Sequence, residues 1–412
     1  MLKFIINVAY YIVKPIITIV LKRKGYSVDA INRKNAILPE TGFNVTDNVI
    51  MFHGVSVGEI NALENLINRT RKEFQDAKIV VTTGTHTGQD IAKKKLGNIV
   101  DLITYFPADA PTIVNKFLDK INPKTVFIAE TEIWPVFAME CKSRDINLYL
   151  INGRISDKTF KLYYIFRIIF KYFLSFYTGV YTQSDEDNNK FLRIGAACDS
   201  TKRMNNLKFD ISKPELNFKI EKTNSRVLLA GSTHKGEDEI VLYNYRRLKE
   251  KHPDLKLIIA PRHLTRVEEV RSLTESFNFK YAFRSNGNNS LKDIDVLILD
   301  TLGELGKMYA FADIAFIGGS FNQTGGHNPL EAVVFEKPVI SGPSIHNFKD
   351  IYSIIINSGA GFVVKDKDEF YNIADTLLAD KDYYNKVTNA SAKVFTEQQG
   401  ALEFVIDLLK NN

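Results

Sequence analysis

Short apolar, β-branched runs alternate along this chain with longer stretches whose apolar positions recur at helical spacing. Runs at 48–53, 78–83, 102–106, 125–129, 148–151 and 179–182 read as strands, and 57–74, 87–96 and 111–120 between them read as helices. A β-α-β-α series of this kind predicts a parallel sheet with helices on both faces. The rhythm stops at 210–225, a polar stretch rich in Lys, Asn, Glu and Pro, as a linker is. It resumes at 226–230 and continues through 256–260, 296–299, 314–317, 338–340 and 361–364. The expected fold class is α/β: two doubly wound, Rossmann-like domains facing a central cleft, with ligands at the carboxyl ends of the strands. The segment 382–409 reads as helical, and in a two-lobed protein it could cross back onto the first domain.

Residues 2–21 form an apolar run close to the roughly 20 residues that span a bilayer. Lys14-Pro15 interrupts it, and Lys22-Arg23-Lys24 follows at once. No small-residue cleavage site comes next, so a removed signal peptide does not fit. We expect a membrane anchor, spanning or lying in the plane of the interface, with the body of the protein on the cytoplasmic side. The expected division is therefore an anchor at 1–25, a first domain at 26–212, a linker at 213–225 and a second domain at 226–412.

Composition narrows the classes. Of 412 residues, 45% are hydrophobic and 25% charged, which excludes disorder as the dominant state. Only Cys141 and Cys198 occur, so a disulfide framework or structural zinc site is excluded and a reducing compartment fits. The net charge is +6, and its placement matters more than its sum. Lys3, Lys14, Lys22, Arg23 and Lys24 crowd the first 30 residues, opposed by Asp29 alone. Lys161, Arg167 and Lys171 lie in the aromatic stretch 160–182, which has no acid. Basic charge among apolar residues suits an anionic membrane surface better than nucleic acid. The stretch 160–177 reads either as such a surface or as a buried amphipathic helix.

Several motifs are absent. Gly231-Ser232-Thr233-His234-Lys235-Gly236 has the spacing of a phosphate loop, but Glu237 stands where that loop needs Lys. Neither GxGxxG after a strand nor HExxH occurs, and the Asp185–Asp187 and Asp293–Asp295 triplets read as structural. Four constellations carry candidate chemistry. His53-Gly54-Val55-Ser56-Val57-Gly58-Glu59 follows a strand and opens a helix; Glu59 is either a helix-start acid held by the dipole or a general base. Glu130-Thr131-Glu132-Ile133-Trp134-Pro135 puts two carboxylates at a strand end; Glu130 reads as functional, Trp134-Pro135 as structural. Lys208, in Asn206-Leu207-Lys208-Phe209-Asp210, reads by default as a solvated side chain, and its place near the hinge also allows a role in the cleft. The fourth group is a rim of Gly/Ser turns in the second domain: 231–234, Ala260-Pro261-Arg262-His263, Thr301-Leu302-Gly303-Glu304, Gly318-Gly319-Ser320 and Gly325-Gly326-His327-Asn328-Pro329-Leu330-Glu331. Backbone N–H groups there, with Arg262, suit a phosphate, and Glu331 suits ribose hydroxyls.

These motifs in this order resemble the 3-deoxy-D-manno-octulosonic acid (Kdo) transferases of lipopolysaccharide biosynthesis. Phe106-Pro107-Ala108-Asp109, Asn152-Gly153-Arg154-Ile155-Ser156, Gln183-Ser184, Gly342-Pro343 and Asn347-Phe348 extend the likeness over nearly the whole chain. One departure is Met204-Asn205-Asn206, where many relatives carry Gly before Asn-Leu-Lys. The resemblance implies a two-lobed GT-B glycosyltransferase with no bound metal and no cofactor. It implies transfer of Kdo from CMP-Kdo to a lipid A precursor, with inversion, at the cytoplasmic side of the inner membrane. It places the base on Glu59 and transition-state roles on Glu130 and Lys208. CMP contacts fall on Pro261, Arg262, Leu302, Gly303, Glu304, Asn328, Pro329, Leu330 and Glu331. The main alternative is a GT-B enzyme using a UDP-sugar on a membrane glycolipid; a non-catalytic membrane scaffold and a nucleic-acid module stand further off.

Overall fold

The computed structural model describes residues 2–222, 224–287 and 289–411, without the side chains of 2–5 and 9; the Lys3 side chain therefore lies outside the described residues. The chain forms two compact units, one running up to Asp210 and taking in the segment from Gln398 onward, the other Ile211–Glu397.

The first unit holds a seven-stranded parallel sheet: β1 (Val49–His53), β2 (Lys78–Thr83), β3 (Leu102–Tyr105), β4 (Thr125–Ala129), β5 (Asn147–Gly153), β6 (Gly179–Thr182) and β7 (Thr201–Arg203). Their spatial order is β3-β2-β1-β4-β5-β6-β7. Strands β1 and β4 are buried at every position, as strands covered on both faces must be. Between them the winding reverses, which is where doubly wound sheets hold ligands. The helix Ala401–Lys410 also packs here, with Ala401, Val405 and Ile406 buried in one core with Ile60, Leu63 and Leu66. It starts after Gly400, whose φ of +101° ends the preceding helix Lys381–Gln398. The Asp210 carboxylate accepts from the amides of Gly400 (2.8 Å) and Leu402 (2.5 Å), tying the returning chain down.

The second unit repeats the plan with β8 (Val227–Thr233), β9 (Lys256–Pro261), β10 (Tyr281–Phe283), β11 (Val296–Ile298), β12 (Ile314–Ile317), β13 (Val339–Ser341) and β14 (Gly361–Val363). The order is β10-β11-β9-β8-β12-β13-β14, all parallel, with the reversal between β8 and β12. The segment expected as a free linker is anchored on this unit. Ile220 is buried, Lys222 pairs with Asp313 at 2.7 Å, and the Glu221 amide donates to the Asn289 carbonyl.

Residues Leu2–Arg23 form one helix that continues through Pro15. It rests on the helix Pro111–Ile121: Asn7 Oδ1 accepts from the Thr112 hydroxyl at 2.9 Å, and the Tyr10 hydroxyl donates to Asn35 at 3.1 Å. Among the described residues, no helix is long and apolar enough to cross a membrane. Ile12, Ile16 and Ile19 on this helix are exposed. The stretch 160–177 is not a buried amphipathic helix. It folds as two short helices, Asp157–Ile165 and Arg167–Leu174, with Leu174 their one buried residue. Leu162, Ile165, Phe166, Ile168, Ile169 and Tyr172 face outward.

Candidate active site

In the first unit the site is built on the carboxyl ends of β1 and β4. Ser56 begins the helix Val57–Glu73, and Glu59 lies in its first turn. The spacing is that of a capping box, in which the third helical residue reaches back over the helix start. Here the Glu59 carboxylate accepts from the Val55 amide, and from the Ser56 hydroxyl at 3.0 Å. Gly54 makes this turn fit, because a Cβ there would sit 3.1 Å from that of Glu59. Glu59 thus caps its helix, with the Glu130 and Glu132 carboxylates close by. Burial raises its carboxyl to about 7, the nearby Glu130 and Glu132 charges push the same way, and the two hydrogen bonds pull back. A carboxylate half-protonated near neutrality is suited to accept a proton.

Glu130 follows β4 with a φ of +62°. The left-handed region costs a non-glycine residue about 1–3 kcal/mol and is found where surrounding structure enforces it. Lys208 Nζ lies 3.9 Å from Glu130 Oε1. Lys208 comes from the short 3-10 turn Leu207–Phe209, beyond β7 in sequence. A buried amide network brings it back over the sheet. Asn152 Oδ1 accepts from the Leu207 amide at 3.0 Å, and Gln183 Nε2 donates to the Asn152 carbonyl at 3.0 Å. Asn206 Nδ2 donates to Gln183 Oε1 at 3.0 Å, and Asn206 Oδ1 accepts from the Lys208 amide at 3.0 Å. In sequence these asparagines and this glutamine are visible only as motif residues; folded together, they place Lys208.

The Glu130–Trp134 loop is fixed from beneath. Asp109 accepts from the amides of Val136 (3.0 Å) and Phe137 (2.8 Å), capping the helix Pro135–Ser143, and burial raises its carboxyl to about 6. Trp134 packs on Phe106 with ring centroids 5.1 Å apart, and Phe106 on His53 at 4.1 Å. His53 is fully buried and held neutral, its ring pushed down to about 3 mainly by burial. Its Nδ1 bonds the Thr82 hydroxyl at 3.0 Å, so it serves packing rather than proton transfer.

In the second unit, the residues expected to contact CMP lie after β9, β11 and β12. Pro261 ends β9, and the Arg262 amide donates to the Thr233 carbonyl at 2.9 Å. Arg262 is exposed and close enough to Glu331 for its charge to lower that carboxyl, against a larger rise from burial. Asn328 Oδ1 accepts from the Leu330 amide at 3.1 Å, fixing the turn through Pro329 into the helix Leu330–Val333 that carries Glu331. Leu302 is exposed, Gly303 has a φ of +79°, and the Glu304 carboxylate accepts from Arg284 at 2.9 Å and from the Thr301 hydroxyl. Arg262 and Glu331 are thus neighbours, and Leu302–Glu304 lie on the same sheet edge, after β11, the strand beside β9.

One part of the expected phosphate rim is already filled. The buried Glu237 carboxylate accepts from the amides of His234 (2.9 Å), Gly319 (2.7 Å), Ser320 (2.8 Å) and Phe321 (2.8 Å). The chain's own carboxylate occupies the anion-binding nest at the end of β12. A glutamate after the Gly231–Gly236 turn was the available signal. Beside it Asp238, also buried, accepts from Thr233 at 2.5 Å and pairs with Arg266. Among the described residues no group of three or more His, Cys, Asp or Glu is placed to hold a metal ion. Asp185 pairs with Arg203 at 2.8 Å, Asp187 accepts from the Ile155 amide at 2.9 Å, and Asp295 pairs with Lys249 at 3.1 Å.

Residues 30–211 match the family model described as 3-deoxy-D-manno-octulosonic-acid transferase (kdotransferase). A 3-deoxy-D-manno-octulosonic acid transferase of Haemophilus influenzae is 32% identical over 369 residues, covering 88% of this chain and 86% of that one. One of Rickettsia felis is 31% identical over 87% of this chain and 75% of its own. In fold, the chain is similar to a UDP-GlcNAc 2-epimerase from Neisseria meningitidis solved with UDP-GlcNAc (TM-score 0.55, 13% identity, 89% of this chain and 100% of that one). The relatives make this an enzyme that transfers glycosyl groups. It belongs to the 3-deoxy-D-manno-octulosonic-acid transferase family, which serves lipopolysaccharide biosynthesis.

Proposed function

We propose that the enzyme moves Kdo from CMP-Kdo to a glucosamine hydroxyl of a lipid A precursor such as lipid IVA, inverting the anomeric carbon. The observation that carries this reading is Glu59: a carboxyl raised to about 7, at the end of β1, beside Glu130. In this reading Glu59 takes the proton of the acceptor hydroxyl as its oxygen bonds to the anomeric carbon. The bond from that carbon to the donor phosphate breaks, and its electron pair stays on CMP. Arg262 offsets the charge that CMP gains, as fixed donors do best when placed before the reaction. Lys208 and Glu130 serve the sugar that passes through the charged state. Pro261, Leu302–Glu304 and Asn328–Glu331 hold the nucleotide.

The acceptor is an anionic glycolipid, and the enzyme is read as working at the cytoplasmic face of the inner membrane. The exposed apolar side chains of Leu2–Arg23 and of 162–172, next to Lys161, Arg167 and Lys171, support an in-plane attachment. Mass spectrometry of products formed by purified enzyme from CMP-Kdo and lipid IVA tests the reading. A product heavier by one or more Kdo units supports it; turnover with a UDP-sugar and none with CMP-Kdo would sink it.

A further inference from the structure

The reversal of winding in the second unit falls between β8 and β12; His234 directly follows β8, and His327 lies in the segment after β12, beyond the glycine turns that begin at Gly318. His234 Nε2 and His327 Nε2 are 2.9 Å apart, with the two rings nearly parallel. A contact of this kind between two imidazoles requires one nitrogen to donate and the other to accept, so at least one of the two rings is neutral and the pair can hold one added proton between them. The pair is built, not incidental. The His234 amide is fixed by Glu237 at 2.9 Å. His327 stands against Gly319, where a Cβ would lie 2.9 Å from its Cδ2, so only glycine, here with a φ of +70°, leaves room for the ring.

The surroundings are cationic. The His263 ring meets His234 edge-on at 5.8 Å. Arg262 and His263 both lower the two imidazoles, below an already large effect of burial, and Arg266 adds to this at His234. His327 is held down to about 4. His346, from the 3-10 turn His346–Phe348, lies against Gly325. The acids here are Glu237, Asp238, Glu269 and Glu331, of which Asp238 and Glu269 pair with Arg266. Glu237 favours a charged His234, but its oxygens are committed to four amides. Glu331 faces Arg262. With Arg266 paired, what this switch point offers is the exposed Arg262 and the rings of His234, His263 and His327. That set of donors suits an anion.

Resting on the reading of this unit as the donor site, we propose that His234 and His327 bind the phosphate of the nucleotide donor and take up one proton between them as it seats. The pair then presents an imidazolium to the phosphate that gains charge when the sugar leaves, and returns the proton to solvent when CMP departs. The sign follows from charge: an anion beside the pair favours its protonated form, so binding takes up protons and strengthens as pH falls toward the pH range where histidine titrates.

Nitrogen-15 histidine spectra of the full chain read this directly, with CMP as the probe and signals assigned from His234→Gln and His327→Gln. Without CMP, both rings should show neutral tautomers; with saturating CMP at about pH 6.5, one should become an imidazolium. His327→Gln should weaken CMP binding about tenfold at that pH, the equivalent of one pKa unit of coupling, and less at higher pH. Two neutral rings in the CMP-saturated protein would overturn the inference and leave the donor reading standing. Absence of any CMP binding would overturn both.

Discussion

The ammonium of Lys208 stands 3.9 Å from the carboxylate of Glu130, although 78 positions of sequence separate them and β5, β6 and β7 intervene. That distance is set by side-chain amides, not by the strands, so the charge pair at the proposed reaction centre depends on a buried hydrogen-bond network. Asn206→Ala would strip a buried network of its central member, at about 1–3 kcal/mol. Chemical denaturation should show that loss, and Kdo transfer should fall further than stability alone explains, because Lys208 is released. Unchanged transfer in a destabilised but folded protein would remove Lys208 from the mechanism.

Glu59→Gln keeps the shape of the cap and removes the base. Turnover should drop about 10²–10⁴-fold. The wild-type carboxyl is raised in the folded protein, so the folded state holds a proton that the unfolded chain has released between about 4.5 and about 7. Wild-type stability from this group therefore declines as pH rises through that window. Glutamine has no such decline, and the melting-temperature difference between variant and wild type should shift in favour of the variant up to about pH 7 and then level off.

The acid limb of the pH–rate profile should report the same carboxyl, with kcat/KM falling below about pH 7. Glu130 raises Glu59 by like charge. Glu130→Gln should therefore move that limb to lower pH while reducing the maximum rate. A limb that stays in place would separate Glu59 from the observed titration.

Glu237→Ala should expose four backbone donors in a buried nest. Each costs about 1–3 kcal/mol when left unpaired, so a loss of about 4 kcal/mol or more is expected. Thermal shift with CMP should vanish together with it, since the same amides fix the His234 and Gly319 turns.

Reversing Lys161, Arg167 and Lys171 to glutamate should weaken binding to vesicles rich in anionic lipid, and salt should narrow the difference. Ile168→Asp, on an exposed residue of the same short helices, should weaken it without salt dependence. Partitioning that neither change alters would take this surface out of the membrane contact.

Most of the fold was legible because strands covered on both faces must be apolar throughout, and their spacing leaves little choice but a parallel sheet. Two strands escaped. Thr201–Arg203 has one buried and two exposed residues, and Tyr281–Phe283 is only partly buried; both are edge strands, and an edge does not impose an apolar run. The carboxylates stood out by their place at strand ends, whereas Lys208 was marked only by its motif near the hinge. What no periodicity could reveal was partnership. The Asn152–Gln183–Asn206 amides, the Asp109 cap and the Glu237 carboxylate make contacts 23 to 84 positions away, and polar residues in loops look alike until the chain closes. The stretch 160–177 shows the converse: its apolar residues fit a core by composition, yet only Leu174 and Tyr177 are buried, and Leu162, Ile165, Phe166, Ile168, Ile169 and Tyr172 face outward.

The left-handed backbone at Glu130 has a consequence for any effort to toughen this enzyme. Glycine or asparagine would sit more comfortably in that conformation, and either would be selected in a screen for heat resistance. Neither supplies a negative charge beside Lys208. Hardiness and turnover therefore pull in opposite directions at one residue, and an enzyme optimised for the first should arrive there at the expense of the second.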